Sequence, residues 1–251
     1  HIDLDQCPIR TWACTPPVGD IGDTHPVVLA ALADAIASFG VSAIRVSSLI
    51  GTTLDVLRTG LPTTFVVHDL FPFWPVLDET APRPHWDATR LAAAIGKTSF
   101  RFSERRPEIW QARAASTMEA LNAVQARIVA PSSFAAERLQ AVAPALPTAT
   151  VIPHGLPAFA DPRSARGVKR RPGPLRVLVP GRLVGGKGEW LLDALAPRIP
   201  TGIDWCFAGG GALADRYAQA LGGQAIHEYR TTELPRLIEG FDPDLALLPS
   251  L

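Results

Sequence analysis

The last third of the chain alternates strand-like and helix-like segments, which restricts the folds open to it. The predicted strands cover residues 175–179, 204–208, 224–227 and 244–248, and the predicted helices between them cover 189–196, 212–221 and 232–240. A strand followed by a helix and another strand favours parallel pairing, with helices packed on the faces of the sheet. We therefore predict a doubly wound α/β domain, in which ligands bind at the carboxyl ends of the strands.

The first 155 residues show the same alternation. The predicted elements are a helix at 26–39, a strand at 43–47, a short helix ending at Arg58, a strand at 63–67, a helix at 106–126, a strand at 127–130, a helix from Ser132 or Ser133 to 142, and a strand at 149–153. Asp23 and Thr24 are candidate caps for the first helix. This helix is expected to bury one apolar face, formed by Val28, Leu29, Leu32, Ile36 and Phe39. The prolines and aromatic residues of segment 70–85 predict a long, partly apolar loop.

Residues 156–174 are rich in proline, glycine and arginine and lack periodic apolar positions, as is typical of a linker. We predict an N-terminal domain at 1–160, a linker at 161–174 and a C-terminal domain at 175–251. A solvated linker accounts for the basic residues, although contact with anionic lipid or with an acceptor would use the same charges. The chain begins without methionine and stops in a predicted strand, so we expect a fragment in which both domains are incomplete.

Charge and cysteine content argue against several functions. The 24 basic and 24 acidic residues cancel, which disfavours general nucleic-acid binding. Cys7, Cys14 and Cys206 form no C-x-x-C pair, so we expect no disulfide framework or zinc knuckle, and a cytoplasmic location is the simplest. No His, Cys or carboxylate cluster has metal-ligand spacing, and no segment has the pattern of a signal peptide or a membrane span.

A glycine-rich loop follows the predicted strand at 175–179. It runs from Gly181 to Gly188 with the sequence GRLVGGKG, and it precedes a predicted helix. Backbone N–H groups in such a loop can approach a phosphate, and Arg182 and Lys187 add positive charge. The loop is therefore a candidate diphosphate site, although an ordinary turn with two solvated cations has the same spacing.

Two further strand ends of the C-terminal region carry candidate residues. Three consecutive glycines, including Gly210, follow the strand at 204–208 and open a helix whose dipole favours an anion. His227, Glu228 and Tyr229 follow the next strand. Tyr229 could stack on or hydrogen-bond a base, and simple packing is an equal alternative.

The N-terminal region places titratable residues after its strands. His68 and Asp69 follow the strand at 63–67, and His154 follows the strand at 149–153. Imidazole at such a rim can hydrogen-bond a sugar hydroxyl or transfer a proton, and a carboxylate can orient an acceptor. Alternatively, Asp69 caps the next turn and His68 is structural.

The order of several motifs resembles the retaining GT-B glycosyltransferases of family 4. The motifs are HDLFPFWP, APSSFAAERL, TVIPHGLP, RVLVPGRLVGGKGEWLLDAL, CFAGGG and DLALLPS. The resemblance implies two Rossmann-like domains that face each other across a cleft. It also implies transfer of a sugar from a nucleotide-diphosphate donor to a hydroxyl of a carbohydrate or lipid-linked acceptor, with no metal or other cofactor.

The resemblance also implies roles for individual residues. Arg182 and Lys187 match the family's diphosphate-binding pair, His68 matches a histidine placed against the donor sugar, and Gly210 and Tyr229 fall in the nucleotide pocket. The acceptor is implied to bind mainly to the N-terminal domain, where peripheral contact with the inner face of a membrane stays open. The family's two donor-binding glutamates would lie beyond Leu251.

Two other classes of function compete with this interpretation. A non-catalytic nucleotide- or sugar-binding module would use the same glycine turns without the glutamates. A dinucleotide-dependent oxidoreductase is disfavoured because no G-x-G-x-x-G follows a strand with an acidic residue about twenty positions later.

Overall fold

A computed structural model describes residues 10–76, 86–97, 103–155, 172–183 and 187–249. The chain divides into two compact units, residues 1–155 and 156–251. Each unit contains a four-stranded parallel sheet flanked by helices, which confirms the predicted α/β class. The predicted linker lies mostly outside the described residues.

The first unit has the strand order β1-β2-β3-β4, with all neighbouring pairs parallel. Its elements are α1 (Pro26–Phe39), β1 (Ile44–Val46), a 3₁₀ helix (Leu54–Leu57), β2 (Thr63–Val66), α2 (Ala88–Lys97), α3 (Pro107–Ala123), β3 (Arg127–Ala130), α4 (Ser133–Val142) and β4 (Thr150–Val151). Across these strands the order runs without a reversal, so the described part of the sheet contains no switch point of the doubly wound kind.

Helix α1 differs from the prediction in its cap and its burial. His25, rather than Asp23 or Thr24, is the N-cap, and its Nδ1 accepts a hydrogen bond from the Val27 N–H. No residue of α1 is fully buried, because the helix packs mainly against the short 3₁₀ helix rather than across the sheet. Leu29, expected in the buried face, is 48% exposed.

Thr24 instead contributes to a hydrogen-bonded cluster around Asp55. The Thr24 and Thr53 hydroxyls each donate to the Asp55 carboxylate at 2.7 Å, and the His25 N–H donates at 2.8 Å. Burial by itself would raise the pKa of this carboxyl, but the three hydrogen bonds outweigh it and lower the pKa. The ionised, 2% exposed side chain therefore holds the start of α1 on the 3₁₀ helix.

The proline-rich segment after β2 forms a second core. The described part is irregular, as predicted, and the side chains of Phe71 and Trp74 are buried. They pack with α2 and α3 in a cluster of Phe71, Trp74, Val76, Leu91, Ile95 and Trp110. Helix α2 was not predicted, because proline and charged residues around it obscure its short apolar pattern.

The second unit has the strand order β7-β6-β5-β8, again entirely parallel. Its elements are β5 (Leu175–Pro180), α5 (Glu189–Leu195), a 3₁₀ helix (Ala196–Arg198), β6 (Ile203–Ala208), α6 (Ala212–Leu221), β7 (Gln224–Ile226), a 3₁₀ helix (Thr231–Glu233), α7 (Leu234–Phe241) and β8 (Leu245–Ala246). Each strand predicted from sequence is present, with bounds that shift by one or two residues.

Both faces of the second sheet are covered by helices. One face packs against α5 and α6 in a cluster that includes Val177, Val179, Trp205, Phe207 and Tyr217. The other face packs against α7 in a cluster of Leu178, Cys206, Ala208 and Phe241. The chain crosses from one face to the other between β7 and β8, which produces the doubly wound topology predicted for this region.

Candidate functional site

The strand order of the second unit places the glycine-rich loop at a switch point. The chain moves from β5 outward to β6 and β7, and then returns to pair β8 with the opposite side of β5. In doubly wound sheets the ligand crevice opens at this reversal, beyond the carboxyl ends of the strands. The loop from Gly181 to Gly188 leaves β5 at that end, so the fold puts the predicted phosphate loop where such ligands bind.

Gly188 makes the closest approach within this loop. Its φ is +99°, and a Cβ there would overlap the ring of Pro249 and lie 3.0 Å from the Pro249 carbonyl oxygen. Pro249 follows β8, so the segments that leave β5 and β8 contact each other at this glycine. A side chain at position 188 would force these two segments apart.

The two predicted cations of the loop are available to a ligand. Arg182 and Lys187 are both exposed, and within the described residues neither forms a hydrogen bond or an ion pair. Residues 184–186, which complete the loop, lie outside the described part. Unpaired cations beside a glycine turn can contact phosphate oxygens without first breaking an internal salt bridge.

The three consecutive glycines lie beside the loop, as the parallel sheet predicts. Gly181 N–H donates to the Ala208 carbonyl at 2.7 Å, and Gly209 N–H donates to the Ile226 carbonyl at 2.7 Å. These bonds tie together the ends of β5, β6 and β7. Gly210 is buried, and a Cβ there would lie 3.2 Å from Leu183 Cδ1, so this glycine serves close packing.

Tyr229 packs over this glycine turn. A Cβ on Gly209 would lie 2.8 Å from Tyr229 Cε1, and Gly209 has a φ of +82°. The ring also contacts the cluster on the α7 face and is half-buried. The packing alternative for Tyr229 is therefore present, and its proposed contact with a base stays a prediction.

Side chains of α6 hold α5, the helix that follows the glycine-rich loop, in place. The Tyr217 hydroxyl donates to the Glu189 carbonyl at 3.0 Å and to the Asp193 carboxylate at 2.8 Å, and Arg216 pairs with Asp193 at 2.7 Å. Burial and the neighbouring Asp193 raise the pKa of Tyr217 well above its usual value, so the phenol stays protonated and donates. These contacts attach the first turn of α5, and with it Lys187, to the rest of the unit.

In the first unit the structure brings His68 and His154 together. Their rings are parallel within 2°, and the ring centroids are 5.4 Å apart. His68 follows β2 and His154 follows β4, so the two exposed rings approach each other across the end of β3. The sequence predicted each as a candidate but did not predict their proximity.

Asp69 is held by its own turn. One carboxylate oxygen accepts from the Phe71 N–H at 3.0 Å, and the other accepts from the Ser48 hydroxyl at 3.2 Å. The turn-capping alternative for Asp69 is therefore present. Ser48 follows β1 and joins this rim, and a single serine carries no sequence signal that would have identified it.

A second pair of side chains in contact, which was not predicted from the sequence, lies beside the glycine turn of the second unit. His227 Nε2 is 2.7 Å from a carboxylate oxygen of Asp215 in α6. His227 was predicted to follow a strand, and no prediction was made for Asp215. The twelve-residue separation gives no pattern from which the contact could have been predicted.

Each of the two sheets has a cavity at the edge opposite the carboxyl ends of its strands. One, of about 320 Å³, is between the first 3₁₀ helix and α3, and its lining includes Arg58 and Glu119. The other, of about 220 Å³, is at the start of β5 and β6 and includes Arg176 and Asp204. Neither coincides with the carboxyl-end residues described above.

No protein-family model matches this sequence, and no curated protein matches it closely enough to count as a relative. Among the described residues, no helix is both long and apolar enough to cross a membrane. Within the same residues, no three His, Cys, Asp or Glu side chains gather as they would around a metal ion. The site is therefore interpreted from its own geometry and from the motifs.

Proposed function

We propose that this protein is a GT-B glycosyltransferase that transfers a sugar from a nucleoside-diphosphate sugar to an acceptor hydroxyl with retention of configuration. The observation that carries the proposal is the loop from Gly181 to Gly188 at the switch point of the second sheet. It offers glycine backbone and two cations that have no internal partner among the described residues. The order of the motifs along the chain supports the same function.

In this proposal Arg182 and Lys187 bind the donor diphosphate. When the bond between the sugar and the diphosphate breaks, negative charge accumulates on the departing phosphate oxygen, and two prepositioned cations stabilise that charge. The acceptor oxygen forms the new bond to the sugar, and its proton leaves to a phosphate oxygen or to water. Cations in these positions perform the charge stabilisation that a bound metal ion performs in other transferases.

The first unit supplies the acceptor side in this proposal. His68 and His154 offer two parallel imidazoles, and Asp69 is fixed at the same rim by the Ser48 hydroxyl. Imidazole nitrogens and a carboxylate can hydrogen-bond sugar hydroxyls and orient an acceptor. A cleft between the two units, with His68 against the donor sugar, is part of the proposal.

Calorimetric titration with UDP, GDP, ADP and their glucose conjugates tests the donor site. Loss of a charge-assisted hydrogen bond costs about 1.5–3 kcal/mol, so Arg182→Ala and Lys187→Ala should each weaken binding by about 10- to 150-fold. Arg198→Ala is the matched control, because Arg198 is an exposed cation of the same unit outside the loop. If both loop variants bind every nucleotide as the unmodified protein does, the assigned site is wrong.

A non-catalytic nucleotide-binding module is the second candidate. The observation that favours it is that both cations and both glycine turns belong to one compact unit, so a module of this kind requires no residue of the other. Release of nucleoside diphosphate from bound donor, measured with a panel of sugar and lipid-linked acceptors, separates the two functions. Transfer supports the enzyme, and tight binding without turnover supports the module.

A further inference from the structure

The contact between His227 and Asp215 places the Nε2 atom of the His227 ring against a carboxylate of α6. Asp215 lies in the first turn of α6, His227 follows β7, and the two side chains are 63% and 57% exposed. A carboxylate can only accept a hydrogen bond, so the proton of a neutral His227 ring is on Nε2. Nδ1 then carries a lone pair, and among the described residues it has no hydrogen-bond partner.

The backbone anchors this histidine to the glycine turn. The His227 carbonyl accepts a hydrogen bond from Gly211 N–H at 3.2 Å, and Gly211 is the N-cap of α6. The pair therefore lies at the same carboxyl edge as the phosphate loop. Two strand spacings, about 10 Å in total, separate the end of β5 from the end of β7.

This separation matches the layout of a nucleotide. If the diphosphate binds at the loop after β5, the ribose and the base extend from it along the carboxyl edge of the sheet. On one side of β5 the described strands at this edge are β6 and then β7. A nucleoside offers hydrogen-bond donors, either ribose hydroxyls or base N–H groups. A fixed acceptor at the end of β7 is complementary to either donor.

We propose that the Asp215–His227 pair recognises the nucleoside half of the ligand, with His227 Nδ1 accepting a hydrogen bond from a ribose hydroxyl or a base N–H. Asp215 acts as a positioning residue that keeps the proton on Nε2. The inference rests on the proposed function, because that function puts a nucleotide at this edge. An exposed Asp–His contact without this role would add little to stability and nothing to binding.

The test compares nucleotide binding with pyrophosphate binding. His227→Ala should weaken the best-binding member of UDP, GDP and ADP by about tenfold, the value of one hydrogen bond, and should leave pyrophosphate affinity unchanged. His227→Gln, whose amide oxygen can still accept, should recover most of the affinity. Asp215→Ala should cause a smaller loss, because the ring then exchanges between two tautomers.

Asp204→Ala is the matched control, because Asp204 is an exposed carboxylate at the opposite edge of the same sheet. The 2′-deoxy nucleotide distinguishes the two donors. If it binds the unmodified protein about tenfold more weakly and His227→Ala adds no further loss, the ribose is the partner. If the ribo and 2′-deoxy forms bind equally and His227→Ala weakens both, the partner is the 3′-hydroxyl or the base, and the 3′-deoxy nucleotide separates these two in the same way.

Failure of this inference differs from failure of the proposed function. If Arg182→Ala weakens both pyrophosphate and nucleotide binding while His227→Ala changes neither, the inference is overturned and the phosphate site stands. An equal loss of nucleotide and pyrophosphate affinity in His227→Ala also overturns it, because the effect is then not confined to the nucleoside. If no nucleotide binds the unmodified protein, both are overturned.

Discussion

Substitution of Gly188 by alanine tests whether the approach of the loop to Pro249 is required. Two costs follow from the structure. A left-handed backbone conformation costs an L-residue about 1–2 kcal/mol, and Gly188 has a φ of +99°. The added methyl group also overlaps the Pro249 ring, and overpacking of this kind costs about 1–3 kcal/mol. We expect Gly188→Ala to destabilise the second unit by about 2–5 kcal/mol.

Gly202→Ala is the matched control for the backbone cost. Gly202 has a φ of +92°, and a Cβ there would have no neighbour within 4 Å. Its substitution should cost only the conformational strain, about 1–2 kcal/mol. Both alanines restrict the unfolded chain equally, so that contribution cancels in the comparison. The difference between the variants, about 1–3 kcal/mol, then measures the contact with Pro249.

Urea unfolding followed by hydrogen exchange of peptides from β5, α5 and β6 measures the stability of the second unit alone. Pyrophosphate binding by the same variants measures the effect on the loop. Gly188→Ala should bind pyrophosphate more weakly than Gly202→Ala, because the methyl group displaces the loop from β8. Equal destabilisation by the two substitutions, with unchanged binding, would show that Pro249 moves away freely and would refute the reasoning.

Two further predictions concern residues that hold elements in place. Tyr217→Phe keeps the ring but removes the hydroxyl that hydrogen-bonds the start of α5. It should destabilise the second unit by about 1 kcal/mol and raise the rate of hydrogen exchange in α5. An unchanged exchange rate would contradict this role. Asp55→Asn should cost the first unit about 1–3 kcal/mol at pH 7, because an N–H₂ group replaces one of the two carboxylate oxygens and cannot accept the one or two hydrogen bonds made to that oxygen. Since folding lowers the pKa of Asp55, this stabilisation is complete above the unfolded pKa, about 3.9, and is lost as the pH falls through the folded pKa. The unfolding midpoints of Asp55→Asn and of the unmodified protein should therefore converge in acid. The exposed control Glu119→Gln should have the same midpoint as the unmodified protein at every pH.

Local sequence patterns were most informative in the second unit. The strands there are short apolar runs bounded by glycine or proline, and such punctuation is a strong local signal. In the first unit, α2 was not predicted, because its apolar pattern is short. Asp87 before it is a helix-capping residue type, and its carboxylate accepts a hydrogen bond from the Arg90 N–H at 3.0 Å. The cap of α1 was assigned to the wrong residue, because Thr24 is a good cap by type but its hydroxyl is bonded to Asp55, thirty-one residues away.

Some features of the candidate site were also predicted from the sequence, and others were not. The glycines around Gly181 and Gly209 were expected at neighbouring strand ends, since parallel strands carry their carboxyl ends on one edge. Their roles within that edge were less predictable. Whether Tyr229 packs on Gly209, or whether His68 meets His154, depends on side-chain directions and strand order, which residue types alone do not specify.

The sequence by itself determined the α/β class, the position of the glycine loop between a strand and a helix, and the charges at Arg182 and Lys187. These features are local, because propensity, turn chemistry and charge are properties of short segments. Only the tertiary structure decided that β8 returns to pair with β5, that Gly188 touches Pro249, and that the Asp215 carboxylate lies within hydrogen-bond distance of His227 Nε2. Such contacts join residues far apart in the chain, and they form only when packing selects one strand order from those that the same elements allow.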